Sequence, residues 1–251
     1  MSEIVFDGVS VGYDKNPVAK DISFDVDKNM ITALIGPNGA GKSSILRTAA
    51  GLIRPLSGDV LIKEKQIADY SRDELYSIIS VMMTERVKTG FMTCFDVVRI
   101  GRYRHSGIFG GLADTDQRVI RESMELIGVW DLKDRDYNKL SDGQKQKVLL
   151  ARAIVSEPEI LIMDEPSSYL DMGRKIEFFD ALSTLVHDKK IAVLISMHET
   201  ELVKKVADKV ISISADGRVD MTGKPDEVIT TDYMEKLYMI KDGKYEEYYG
   251  R

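Results

Sequence analysis

The densest chemistry in this chain lies in one short run, Gly36-Pro37-Asn38-Gly39-Ala40-Gly41-Lys42-Ser43. In this G-x-x-x-x-G-K-S spacing, glycines let the backbone curl until successive N–H groups face a single anion. The helix that begins after it, at Ser44-Ile45-Leu46-Arg47, adds its positive end. Lys42 can reach the terminal phosphates of a nucleotide, and the Ser43 hydroxyl suits a Mg²⁺ ion. A glycine-rich turn between strand and helix could serve with no ligand at all. The apolar run Ile31–Ile35 before it supplies the strand–loop–helix setting that the phosphate reading requires.

A second run, Ile160-Leu161-Ile162-Met163-Asp164-Glu165, ends a buried strand in two acids. That places carboxylates at a sheet's C-terminal edge, where open α/β sheets bind ligands. Asp164 suits the Mg²⁺ shell, and Glu165 suits polarising a water that attacks the last phosphate. A solvated strand end is the plainer reading, and the phosphate loop weighs against it. His198 closes a third apolar stretch, Ile195-Ser196-Met197-His198, from which an imidazole can hydrogen-bond a phosphate. Lone histidines are more often structural, and His105 and His187 keep that reading. In Leu140-Ser141-Asp142-Gly143-Gln144, the donors of Ser141 and Gly143 precede a helix running from Gln144 to Val155, which makes a second anion site. An ordinary serine N-cap would look the same.

The elements that position these residues follow from periodicity. Ile22-Ser23-Phe24-Asp25-Val26-Asp27 alternates apolar and polar, as a half-buried strand does; Val5, Val9 and Val11 repeat that spacing upstream, as do Val60 and Ile62 downstream. By contrast Ile31–Ile35, Ile160–Met163 and Ile191–Ile195 are almost wholly apolar, the pattern of strands covered on both faces. Between them, Ile120, Met124 and Ile127, then Phe178, Leu182 and Leu185, and Val148, Ala151 and Val155 recur at helical spacing. The expected architecture is a mostly parallel core sheet, an antiparallel section near the N-terminus, and a mainly helical insert over about 75–140. The residues after Gly217, about 218–251, read as a small appendage in which Thr231 caps a helix carrying Tyr233 and Leu237.

The 251 residues include 35 basic and 41 acidic side chains, a net charge of −6, with 43% apolar and 30% charged. That composition excludes a disordered chain. The acidic balance argues against a bulk nucleic-acid binder, so any phosphate site must be local. A single cysteine, Cys94, excludes an internal disulfide framework and fits a reducing compartment. No run approaches the ~18–20 apolar residues of a membrane span, and the opening MSEIVFDGVS lacks a leader's apolar core. The twelve methionines and Trp130 read as packing residues.

Taken in order, the phosphate loop, the Leu140–Gln144 segment, the Asp164-Glu165 pair and His198 resemble the nucleotide-binding subunit of an ABC transporter, over essentially the whole chain. The resemblance implies a P-loop NTPase core within one domain spanning 1–251, binding ATP and Mg²⁺. It implies that Gly36 through Ser44 form the Walker A loop and that Tyr13 stacks on adenine. Ser43, Asp164 and Glu85 would attend the metal; Lys42, Glu165 as catalytic base and His198 as switch would carry the chemistry. Ser141, Gly143 and Gln144 would meet the γ-phosphate held by a second copy, in a head-to-tail dimer with two sandwiched ATP molecules. Ser168-Tyr169-Leu170-Asp171 matches the D-loop that contacts that copy.

Two positions depart from the family pattern. Asp142 replaces the usual second glycine, as is typical of ATPases that energise uptake of iron chelates, haem and vitamin B12. The stretch Gly101-Arg102-Tyr103-Arg104-His105, with Phe109-Gly110 and Asp116-Gln117, is similar to that same subgroup. At the Q-loop, Thr84 or Glu85 stands where glutamine is usual, and Glu85 could still ligate Mg²⁺. Residues Thr84–Gly101, with Phe91, Met92, Phe95 and Val97 around Cys94, are expected to face an integral membrane permease, unless that set is insert core. The resulting expectation is the ATPase subunit of an importer for an iron-siderophore or similar chelate. It would lie on the cytoplasmic face of the membrane through its permease, served indirectly by a substrate-binding protein. A soluble ABC ATPase acting on nucleic acid, ribosomes or cluster assembly, and a small-molecule kinase, are the alternatives; the first usually carries two cassettes or long coiled-coil insertions, and the second has no use for Leu140–Gln144.

Overall fold

The computed structural model describes residues 2–83, 90–103, 113–241 and 243–249. In chain order the elements are β1 (Ser2–Tyr13), β2 (Asn16–Asp27), β3 (Ile31–Ile35), α1 (Lys42–Ala49), β4 (Ser57–Ile62), β5 (Lys65–Gln66), α2 (Arg72–Ile78) and β6 (Ile79–Met82). The middle of the chain supplies α3 (Cys94–Ile100), α4 (Asp114–Leu126), α5 (Asp142–Ile154), β7 (Ile160–Asp164), α6 (Met172–Lys189) and β8 (Ala192–Ser196). It closes with α7 (Thr200–Val206), β9 (Lys209–Ile213), β10 (Val219–Gly223), α8 (Pro225–Val228), α9 (Thr231–Tyr238) and α10 (Lys244–Tyr249).

The strands form two sheets. One, in the order β2-β1-β4-β5, is antiparallel throughout. The other, β10-β9-β3-β8-β7-β6, is parallel except for its outermost β10–β9 pair. The apolar strands are explained by what covers them. On β7, Ile160 and Ile162 enter the core shared with the antiparallel sheet, whereas Leu161 and Met163 enter the core under the helices. On β8, Ala192 and Leu194 face the first core, Val193 and Ile195 the second. Side chains alternate across a strand, so a strand between two cores must be apolar at every position.

Four expectations are corrected. First, β1 does not keep one alternation along its length. Ile4 and Phe6 are buried, then Val9 and Val11, while Val5 is only half-buried. The register to β2 shifts between Phe6 and Val9, and Gly8 between them takes φ +59°. A bulge adds one residue and swaps the faces beyond it. Second, the stretch 75–140 contains β6, an edge strand of the core sheet, parallel to β7. The helices beyond it start at α3, which Thr93 caps by accepting from the Asp96 N–H at 3.1 Å.

Third, the residues after Gly217 are not loosely appended. β10 extends the core sheet, and the Tyr233 hydroxyl meets Ser212 Oγ at 2.5 Å and donates to Asp220 Oδ2 at 2.8 Å. Tyr245 on α10 is buried too, its hydroxyl 2.5 Å from Thr200 Oγ1. Thr231 is the first residue of α9 rather than its cap; Thr230 holds the N-cap position without a side-chain bond. Fourth, the apolar set near residue 91 is split. Cys94 and Val97 are core, Met92 and Phe95 pack against it in part, and Phe91 is 104% exposed. Trp130 packs against the helical core with the Arg121 guanidinium 5.3 Å from its ring.

Candidate active site

Three parallel strands deliver the chemistry to one edge. β3 runs straight into Gly36, and β7 and β8 end side by side with Asp164 level with Ser196. The loop after β3 needs its glycines. A Cβ on Gly36, which adopts φ +144°, would lie 2.1 Å from the Ile213 carbonyl oxygen on β9. Gly41 takes φ +93° as the N-cap of α1 and has no room to spare, since a Cβ there would meet Ala19 at 3.0 Å. With no side chain capping α1, its first N–H groups are left to an anion.

Lys42, the first residue of α1, is buried and folds back over the loop. Its Nζ donates to the carbonyl oxygens of Gly36 at 2.7 Å and Pro37 at 2.9 Å. Burial pushes this ammonium below the usual lysine range, and the Glu165 and Asp164 carboxylates pull it back. A cation so held is pre-positioned and poorly hydrated, which suits it to a polyanion. A cavity of about 290 Å³ opens here, lined by Asn38, Gly39, Gly41, Lys42, Ser43 and Ser44 of the loop, with Val18 and Glu165. Ala40 is buried under it.

At the end of β7 the two acids are separated by the backbone. Asp164 stays in the sheet and is buried; Glu165 turns out of it with φ +45°. One hydroxyl organises both: Ser196 Oγ donates to Asp164 Oδ1 at 2.6 Å and accepts from the Glu165 N–H at 3.0 Å. Glu165 in turn accepts from Ser168 Oγ at 3.1 Å and contacts His198 Nε2 through Oε1. A half-buried carboxylate aimed at the cavity, beside an imidazole, is arranged to take and pass a proton. Tyr13 stands nearby on an exposed edge, 46% accessible. The Ser44 side chain lowers its pKa through a hydrogen bond, against partial burial, and Arg47 Nη1 lies 3.5 Å from its hydroxyl. Its ring is therefore held by its polar end with a face open to stack on a base.

The donors suited to a divalent cation are the Ser43 hydroxyl and the Asp164 carboxylate, both oxygen. Among the described residues no group of three or more His, Cys, Asp or Glu converges. The two oxygen donors beside the loop suit Mg²⁺, which binds through one or two protein oxygens together with substrate phosphates rather than in a protein cage. Glu85 lies outside the described residues, as do Thr84 and His105.

The remaining predicted residues sit apart from this cavity. Ser141 is the N-cap of α5, so Gly143 and Gln144 lie inside its first turn rather than ahead of it. Ser141 Oγ accepts from the Gln144 N–H at 3.3 Å while Gln144 Oε1 accepts from the Ser141 N–H at 3.2 Å, a closed capping box. Asp142 points to Lys145, Nζ to Oδ1 3.8 Å, which turns its charge along the helix. Gly143 is buried against Arg174: a Cβ would meet its Cδ at 2.4 Å. The sequence reading missed Ser196, Val18 and Arg47. Ser196 had a visible signal, the one polar residue ending an otherwise apolar strand.

The family model for the ABC transporter matches residues 19–168. An ABC transporter ATP-binding protein of Methanocaldococcus jannaschii is 37% identical over 97% of this chain and 84% of its own length. The ferric enterobactin transport ATP-binding protein of Escherichia coli is 29% identical over 93% of this chain and 86% of its own. Among solved structures, an ATP-binding cassette of an ABC transporter superposes with a TM-score of 0.85 at 23% identity, covering 97% of this chain and 100% of that one. No helix among the described residues is long and apolar enough to cross a membrane.

Proposed function

The chain belongs to the ABC transporter family as an ATP-binding ATPase, and from that premise we propose that it drives an importer of an iron-siderophore or similar metal chelate through a separate membrane permease. The observation that carries the ATPase part of the reading is one cavity lined by Lys42, Ser43 and Glu165 together, with His198 in contact with Glu165. The chelate part rests on the relative that serves ferric enterobactin transport and on Asp142 in the signature segment.

In this reading the loop N–H groups and Lys42 bind the phosphates of ATP, and Tyr13 holds the adenine. Ser43 and Asp164 hold Mg²⁺, which offsets phosphate charge when bound. Glu165 polarises the attacking water, and His198 positions Glu165 and the terminal phosphate together. Phosphoryl transfer to water is mostly positioning and charge neutralisation, so these groups suffice once a second anion site closes the cavity. Ser141, Gly143 and Gln144 do not line their own chain's cavity. They serve the nucleotide of a second copy.

The permease side is assigned to the groove of about 900 Å³ between α2, β6, α3 and α5, where Leu52, Tyr76, Ile100 and Tyr103 are exposed. Phe91 stands free beside α3. The test has two arms. ATP should drive a Glu165→Gln variant into a stable dimer by light scattering while its turnover collapses; a monomer at saturating ATP would overturn the composite site. Loss of ⁵⁵Fe-chelate uptake in cells lacking this chain, restored by wild type only, would support the cargo; unchanged uptake of siderophore, haem and cobalamin would reject it.

A further inference from the structure

A second cavity, of about 230 Å³, lies at the opposite edge of the core sheet from the nucleotide loop. Its walls come from the residues that lead into the strands: Lys28 before β3, Pro158 and Glu159 before β7, Ile191 before β8. β3, β7 and β8 each have five residues, so roughly 16 Å of strand separates the two edges. α4 closes the cavity from the helical side, and the end of α6 closes it from the other.

Its floor is aliphatic: Val119, Leu126, Ile154, Leu185 and Ile191, with no aromatic ring among the lining residues. The space exceeds the ~150 Å³ of an engineered apolar cavity that admits benzene. The rim carries three acids and three lysines, and they differ in their partners. Glu157 is engaged by Arg102 at 2.7 Å, Glu159 by Lys63 at 2.5 Å, and Glu122 faces Arg118 at 3.8 Å. Lys28, Lys189 and Lys190 also line the cavity and form no ion pair among the described residues. Each acid thus has a cationic partner outside the cavity lining, and three ammonium groups remain over an aliphatic floor. That combination selects an anion with an apolar body and rejects a cation of the same shape.

We propose that this cavity binds a compact aliphatic carboxylate, its chain on the Leu126–Leu185 floor and its carboxylate between Lys28, Lys189 and Lys190. Its occupant touches α4 and the strand starts at once, so it braces the helical part against the sheet. The site is independent of the nucleotide cavity and of the transported cargo.

The experiment is methyl NMR on the full chain titrated with octanoate, with octanol and octylamine as neutral and cationic isosteres. Saturable shifts are expected at the methyls of Leu126, Ile154, Leu185 and Ile191. Binding of octanol, and of octanoate to a Lys189→Glu/Lys190→Glu variant, should each be at least about tenfold weaker, since at least one charge-assisted contact is lost. The exposed lysines keep that variant folded, and the isosteres test the charge without any substitution. No saturation up to about 10 mM octanoate, equal affinity for octylamine, or shifts confined to residues around Lys42 would overturn the proposal.

Discussion

The two proposed anion-binding ends of this molecule are built on opposite plans. Around Lys42 the backbone is bent into left-handed conformations, a lysine is buried, and one serine hydroxyl ties two acids together. Around Ser141 nothing is strained. Its donors and acceptors close on one another in a capping box, and its charged neighbour is already paired. The first end is preorganised; the second has the form of an ordinary helix start, and on the proposed reading it serves only when a second copy docks on it. The contrast teaches that strain and burial accumulate where one chain supplies most of the reacting groups. A surface that waits for a partner is kept stable by itself.

If this contrast is right, damage at the first end should be catalytic and severe. Glu165→Gln removes the proton acceptor beside His198 and should cut turnover by about 10³-fold with ATP binding retained. Unaltered turnover in that variant would move the chemistry elsewhere. Gly36→Ala forces a Cβ into the Ile213 carbonyl, and a loop displaced by even ~1 Å should weaken ATP binding or turnover by about 100-fold. Isothermal titration separates the two losses. A tolerant Gly36→Ala protein would show that the loop is not held as tightly as the close approach to β9 requires.

Ser141→Ala tests the other end. Losing a cap costs about 1 kcal/mol, a few degrees of melting temperature. Turnover should fall about tenfold or more at ATP and protein concentrations that favour dimers, since a charge-assisted contact to phosphate goes with it. Turnover that tracks the melting temperature alone would reduce Ser141 to a cap and break the comparison.

The smallest effect concerns packing near the second end. Burial raises the Cys94 thiol to about 11, from an ordinary 9.0. The folded state therefore holds its proton where the unfolded chain has lost it, so this contribution to stability is complete below pH 9 and disappears as pH rises toward 11. Alkylation should be slow in native protein at pH 8 and fast in denaturant. Rapid native labelling would mean that α3 opens readily from its helical core.

Most of the edge chemistry was legible in the order of residues, because each piece is local: a loop spacing, two acids after an apolar run, a histidine after another. The parity change at Gly8 was hidden, since alternation counts positions and cannot see an extra residue bulged out of a ladder. Ser196 showed only as a polar end to an apolar strand, and its role did not follow from that, because its partners are more than thirty positions away at the end of the neighbouring strand. The C-terminal residues read as an appendage because their anchors, such as Ser212 for Tyr233 and Thr200 for Tyr245, are side-chain bonds between distant segments.

The alternating burial along β7 and β8 also bears on how this protein can change over generations. Each neighbouring pair of positions serves a different hydrophobic compartment, so neither strand offers a side where drift is harmless. Substitutions there will be constrained at every step, and variation should instead collect on α4 and α6, whose outer faces belong to no compartment.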